Sequence, residues 1–181
     1  MKTEIVPMMI KEIIEAKKEN VLRVNEEYQR GSVWGKKQKA LLIDSILRGY
    51  PIPLFYIHAS SKEAARWGGT VPEIIDGQQR INAIYEFFKG EYPLMDTKKA
   101  GSGIPRYLAE KHCPWANKRY IEFDQELKDQ FLETKIQVAE VKTDDDNEAR
   151  DLFVRLQAGM PLNPQEKRDA WPGQFSKYII D

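Results

Sequence analysis

The chain has 181 residues, 41% of them hydrophobic and 31% charged, a balance that belongs to a soluble globular protein of one domain, since compact domains run to roughly 100 to 200 residues. Its 28 basic residues match its 28 acidic ones, so net charge gives no drive toward nucleic acid or an anionic membrane, and any such affinity must come from a local patch. No apolar run approaches the ~20 residues of a membrane helix, charges interrupt the N-terminal stretch where a secretion signal would be apolar, and the lone Cys113 excludes an internal disulfide or a cysteine pair for zinc; the expected location is the cytoplasm.

In chain order, Met8 to Lys18 places Met9, Ile10, Ile13 and Ile14 on one face and predicts an amphipathic helix after Pro7. "VLRV" is a short strand candidate. "NEEYQRGSVWGKKQ" lacks an apolar period and reads as a loop rich in functional groups. Apolar residues return at helical spacing from Lys37 to Arg48, with Gly49 as the C-terminal stop. The prolines of "PIPLFYIHA" forbid a helix, and Leu54 to Ile57 suit a buried strand. "VPEII" is a further strand, and after Asp76 and Gly77 the residues Ile81, Ile84, Tyr85 and Phe88 recur at helical spacing up to Gly90. Residues from about 95 to 120 carry glycine, proline and scattered aromatics without a period and read as a variable insertion. A short helix from about Gln125, a strand from Lys135 to Val141, a helix "NEARDLFVRLQ" and another starting at Asn163 complete a mixed order, the mark of an α+β fold. "WPGQFSKYIID" gives the fold no obvious stop, as in a fragment of a longer chain.

The corner "EIIDGQQRINA" concentrates chemistry at a strand, turn and helix. A helix N-terminus exposes unpaired N–H groups and the positive end of the helix dipole, which favour an anion. Gly77 lets the backbone approach closely, Arg80 has paired donors for a phosphate, and Gln78 and Gln79 can read a phosphate, a base edge or a water. Asp76 is suited to holding a magnesium ion or orienting a water. The plainer alternative is a capped turn with a solvated first helical turn, and spacing does not decide between them. A second cluster, "YQRGSVW", sets Gln29 and Arg30 beside Tyr28 and Trp34, with Lys36, Lys37 and Lys39 following. Two such clusters that converge would make a polyanion pocket; the competing reading is an arginine stacked on Trp34. Cys113, His58 and His112 are isolated and read as incidental, and Asp144 to Asp146 as a helix cap.

"YQRGSVW", "RGYPIPLFYI", "EIIDGQQRINAIYEFFKGEYPL" and "DLFVRLQAGMPLNPQEKRDA" occur in the order seen in the N-terminal domain of GmrSD-type restriction proteins, a group within the ParB/sulfiredoxin-like superfamily. The chain resembles that domain over nearly its whole length. The resemblance implies a small mixed sheet with surrounding helices that binds a nucleoside triphosphate, with magnesium as an accompanying ion, in a phage-defence protein that senses modified DNA and works with a nuclease domain or subunit. It assigns Gln29, Arg30, Gly77, Gln78 and Arg80 to nucleotide binding and Asp76 and Gln79 to catalysis. "GQQRINA" also looks like the phosphate box of ParB, with Gly77, Arg80 and Ala83 matching and Gln79 in place of an arginine. Sulfiredoxin chemistry needs a cysteine in that loop, and this loop has glutamines. Two departures lie in "DLFVRLQAGMPLNPQEKRDA", Gln157 for an asparagine and a shortened glycine step at Ala158 and Gly159.

The expected function is therefore a nucleotide-binding sensor or regulatory domain of a DNA-targeting defence protein, with NTP hydrolysis as a separate further step that binding does not by itself imply. The alternative is a DNA-binding module without turnover, using Lys36, Lys37, Lys39, Lys118 and Arg119 on phosphates, and no nuclease activity is expected of this chain alone.

Overall fold

The chain opens with a strand where the sequence predicts only a helix: β1 spans Lys2–Met9, and α1, Ile10–Lys18, follows without a loop. β1 lies at one edge of the sheet, pairing antiparallel to a single neighbour, with Pro7 opposite Gln137. An edge is where a strand tolerates a residue with no N–H to donate. Of β1 only Met8 is buried, so the strand has no clean alternation to betray it. The turn into α1 is fixed by Glu12, whose Oε2 accepts the Met9 N–H at 2.6 Å, and Ile10, Ile13, Ile14 and Ala16 form the buried face.

This computed structural model describes residues 1–24, 34–59, 72–96 and 113–157. After α1 come β2 (Arg23–Val24), α2 (Lys36–Leu47), β3 (Phe55–Ala59), β4 (Glu73–Asp76), α3 (Gln78–Phe88), a 3-10 turn (Tyr120–Glu122), α4 (Gln125–Glu133), β5 (Lys135–Lys142) and α5 (Asp146–Gln157). The predicted elements from 21 to 157 are all present, with boundaries moved by one or two residues. The predicted helix from Asn163 lies outside the described residues.

The fold is α+β, with one mixed sheet of strand order β1-β5-β3-β4-β2. β5 runs parallel to β3 and antiparallel to β1, while β4 is antiparallel to β3 and parallel to β2. Strand side chains alternate between faces, and the inner strand β5 is covered on both. Ile136 and Val138 join Phe55, Ile57 and Ile74 in the main core beneath α1 to α4, while Ile75, Ala139, Val141 and Ala149 are buried outside that cluster and α5 packs on β4.

Phe87 anchors the helical side. Its ring meets Tyr92, Phe123 and Phe131 at 5.5 to 5.6 Å and Tyr120 at 6.1 Å, mostly tilted or edge-on, the favoured aromatic geometry. Tyr92 donates its hydroxyl to the Ala83 carbonyl at 2.7 Å, and burial pushes its pKa well above the ordinary range. Tyr92, Leu94, Trp115 and Tyr120 are buried. Core residues thus immediately precede the segment that reads as a variable insertion and also occupy its C-terminal end.

Near the end of β5, Glu148 accepts from Thr143 Oγ1 at 2.5 Å and lies 3.1 Å from the amino group of Met1. The Thr143 hydrogen bond, followed by the amino group, holds its carboxyl below the ordinary value of 4.5. A carboxylate depressed in the folded state stabilises it above the unfolded pKa, and that contribution fades as pH falls through the folded one. Glu148→Gln is accordingly expected to flatten the acid limb of stability below about pH 4.5, measured by thermal melts across that range.

Candidate functional site

The corner between β4 and α3 is built on an irregularity. Tyr56 of β3 pairs with Asp76 and the next residue, Ile57, pairs with Ile74, so β4 carries one extra residue, Ile75. Such a bulge bends the strand and re-aims the residues after it, because a one-residue slip exchanges the two faces. Gly77 then turns the chain with φ of 104° and becomes the N-cap of α3. Its Cα faces the Phe55 ring so closely that a Cβ there would lie 2.6 Å from Phe55 Cδ1.

Arg80, in the first turn of α3, points inward. Its guanidinium lies over the Phe55 ring at 4.6 Å, donates from Nη2 to Asp76 Oδ2 at 2.5 Å and from Nη1 to the Pro53 carbonyl. Its side chain is 9% exposed, against 31% for Asp76. Desolvation by burial pulls the Arg80 pKa down from its ordinary value, and the Asp76 carboxylate opposes that pull; an arginine stays protonated regardless. The forked geometry of arginine is what serves a carboxylate, a carbonyl and a ring face together.

Two helix N-termini meet beside this corner. Trp34, one residue before the Gly35 N-cap of α2, donates its backbone N–H to Gln79 Oε1 at 3.3 Å. Farther along both helices, Lys39 Nζ meets Glu86 Oε2 at 2.5 Å. α2 and α3 therefore run side by side in the same direction, with their positive dipole ends adjacent. Both N-caps are glycines with no side chain to cap the first turn, neither first turn has an acidic residue, and at α2 the neutral Gln38 Oε1 accepts only the Gly35 N–H, at 2.9 Å. The contrast is internal: α1 carries Glu12 in its first turn, and α4 has Glu126 there and an Asp124 cap that accepts the Leu127 N–H at 2.9 Å. With the Asp76 carboxylate before Gly77 paired to Arg80, and no acidic residue in either first turn, the aligned dipoles favour an anion brought from elsewhere.

Of the residues singled out in the sequence, Asp76, Gly77, Gln78, Gln79 and Arg80 share this corner, and Trp34 and the exposed Lys36 and Lys37 join them from α2. Gln29 and Arg30 lie outside the described residues. Gln79 uses its side-chain oxygen to hold the loop end at Trp34. Lys118 and Arg119 are not brought here: the Leu94 N–H donates to the Lys118 carbonyl, and Arg119 Nη1 donates to the Gly90 carbonyl, at the far end of α3, roughly 16 Å away for an 11-residue helix. The basic residues expected to share a DNA surface are thus split between two ends. His58 Nε2 sits 3.0 Å from the Thr143 carbonyl, and Cys113 receives Arg48 Nη2 at 3.7 Å, both within the fold.

Phe55 and Pro53 were not foreseen as parts of the corner. "PIPLF" shows an extended segment entering a strand, but nothing in its spacing connects position 55 to position 80. No group of three or more His, Cys, Asp or Glu side chains that could hold a metal occurs among the described residues. Asp76 alone fits the usual arrangement for magnesium, which takes one or two carboxylates and completes its shell with phosphate and water. Among the described residues no helix is long and apolar enough to cross a membrane.

The family model described as "GmrSD restriction endonuclease, N-terminal domain" matches residues 10–171. No curated protein and no solved structure gives a significant match.

Proposed function

Since the chain belongs to the family of GmrSD restriction endonuclease N-terminal domains, which supports a role in a DNA-targeting defence system, we propose that it is the nucleotide-binding sensor of such a system. One observation carries this reading: the N-termini of α2 and α3, both with glycine N-caps and no acidic residue in the first turn, converge where Trp34 meets Gln79. The backbone N–H groups after Gly77 and Gly35 receive the phosphates of a nucleoside triphosphate, and the exposed Lys36 and Lys37 add charge. Gln78 contacts the nucleotide from the first turn of α3. Gln29 and Arg30 enter the proposal only as the family resemblance implies, since they lie outside the described residues. Bound magnesium would supply charge neutralisation at the phosphates, with Asp76 as its protein ligand. Hydrolysis, with Asp76 and Gln79 holding the attacking water, is the further step of the proposal.

Calorimetric titration of ATP and GTP, each with and without magnesium, tests the reading. One of them is expected to bind, and Lys36→Gln with Lys37→Gln is expected to weaken it about thirtyfold at low salt and less at high salt, as roughly 1 kcal/mol for each of the two charges and its screening imply. Absence of binding by either nucleotide under all conditions would refute it.

A further inference from the structure

Arginine at the start of a phosphate-binding helix suggests a direct grip on phosphate, but the placement of Arg80 assigns it different work. The Arg80 side chain is three times less exposed than that of Asp76 (9% against 31%). Its guanidinium is committed to three internal partners, the Phe55 ring face, the Pro53 carbonyl and the Asp76 carboxylate. Turning it outward to a ligand would surrender the contact with the fully buried Phe55 ring, release the Pro53 carbonyl and break the ion pair, with only one charge gained at the mouth. Asp76 and Arg80 are also four residues apart across the strand-to-helix turn, so their bond fixes how the last residue of β4 sits relative to the first turn of α3.

We propose that Arg80 is a positioning residue which, braced on Phe55 and Pro53, acts through Asp76 by holding its carboxylate at the start of α3, and does not itself grip phosphate. Phe55 belongs to the same device. Lying on β3, outside the corner's own sequence, it bears Gly77 on one contact and the Arg80 guanidinium on another, and so sets the height of the whole first turn. The proposal rests on the nucleotide reading for its ligand, yet the bond between Arg80 and Asp76 is open to test without any ligand.

Three measurements on the whole chain decide it. In urea unfolding without nucleotide, Asp76→Asn, Arg80→Lys and the double variant are compared; lysine keeps the charge but lacks the fork that reaches both acceptors. The double variant is expected to unfold at the midpoint of the worse single variant, since both remove one interaction. Strictly additive midpoint shifts would overturn the proposal. With ATP and GTP as probes, Arg80→Lys is expected to keep magnesium-free affinity within about twofold, while Arg80→Lys, Asp76→Asn and the pair all lose the same magnesium-dependent gain; more than tenfold loss without magnesium would identify Arg80 as a phosphate ligand. Should substitution prevent folding, the Arg80 Nε–H resonance of the unaltered protein serves. It is expected to exchange slowly with solvent and keep its position through a nucleotide titration, and a large displacement on saturation would sink the idea. If the unaltered protein binds neither nucleotide, the nucleotide reading fails by itself, and the urea comparison still decides whether Arg80 is committed to Asp76.

Discussion

Gly77→Ala is expected to lower the stability of the fold by about 2 to 4 kcal/mol in urea unfolding and to abolish nucleotide binding in the fraction that remains folded. Two costs combine. The left-handed backbone at φ of 104° penalises a residue with a Cβ by roughly 1 to 2 kcal/mol. The added methyl would also meet Phe55 Cδ1 at 2.6 Å, and overpacking a filled core costs about 1 to 3 kcal/mol. Phe55 is fully buried in the centre of the core and cannot swing away, so α3 must yield at its N-terminus. Gly49 gives an internal control. It has φ of 70°, and a Cβ added there would meet nothing within 4 Å, so Gly49→Ala bears only the backbone cost. If Gly77→Ala proves no more damaging than Gly49→Ala, the close seat of the corner on Phe55 is not what holds it.

The sequence made the corner visible because its signals are local. An apolar strand, an Asp-Gly step and a helical period can be read within about twenty residues, and the helices α2, α3 and α4 and the strands β3, β4 and β5 come from patterns of the same reach. β1 escaped because an edge strand with one buried residue has no alternation to show, and its proline argues against a strand unless the edge position is known. The core role of Trp115 and Tyr120 escaped for another reason: their partners Asp44 and Phe87 are far away in the chain, and scattered aromatics have no period. The site shows the same division. Which residues gather at the β4–α3 corner was legible, whereas the inward direction of Arg80, the commitment of the Gln79 oxygen to Trp34 and the platform of Phe55 depend on contacts between elements. The resemblance to the GmrSD domain orders the motifs along the chain but says nothing of which way an arginine turns.

Asp44→Ala should be the most damaging polar substitution in the helical layer, at about 3 to 5 kcal/mol, the usual result of removing one partner of a buried ion pair. Asp44 accepts Arg48 Nε at 2.7 Å on one oxygen and Trp115 Nε1 at 2.9 Å on the other, while the Arg48 guanidinium lies 5.5 Å from the centre of the Trp115 ring. The side chains of Arg48 and Asp44 are 7% and 10% exposed. The Asp44 hydrogen bond raises the Arg48 pKa against the opposing pull of desolvation, and an arginine keeps its charge even when that partner is removed. Alanine would therefore strand a charge and an indole N–H together. Asp44→Asn with Arg48→Met should be clearly more stable than Asp44→Ala, because asparagine still accepts the indole and no cation is left behind. Equal loss in both variants would mean that volume at position 44, and not the stranded charge, sets the cost. The network stands about eight residues beyond Lys36, roughly 12 Å along α2. Asp44→Asn is for that reason expected to change nucleotide affinity by less than about twofold while its melting temperature falls, separating the residues that hold the layer together from those that meet the ligand at the helix starts.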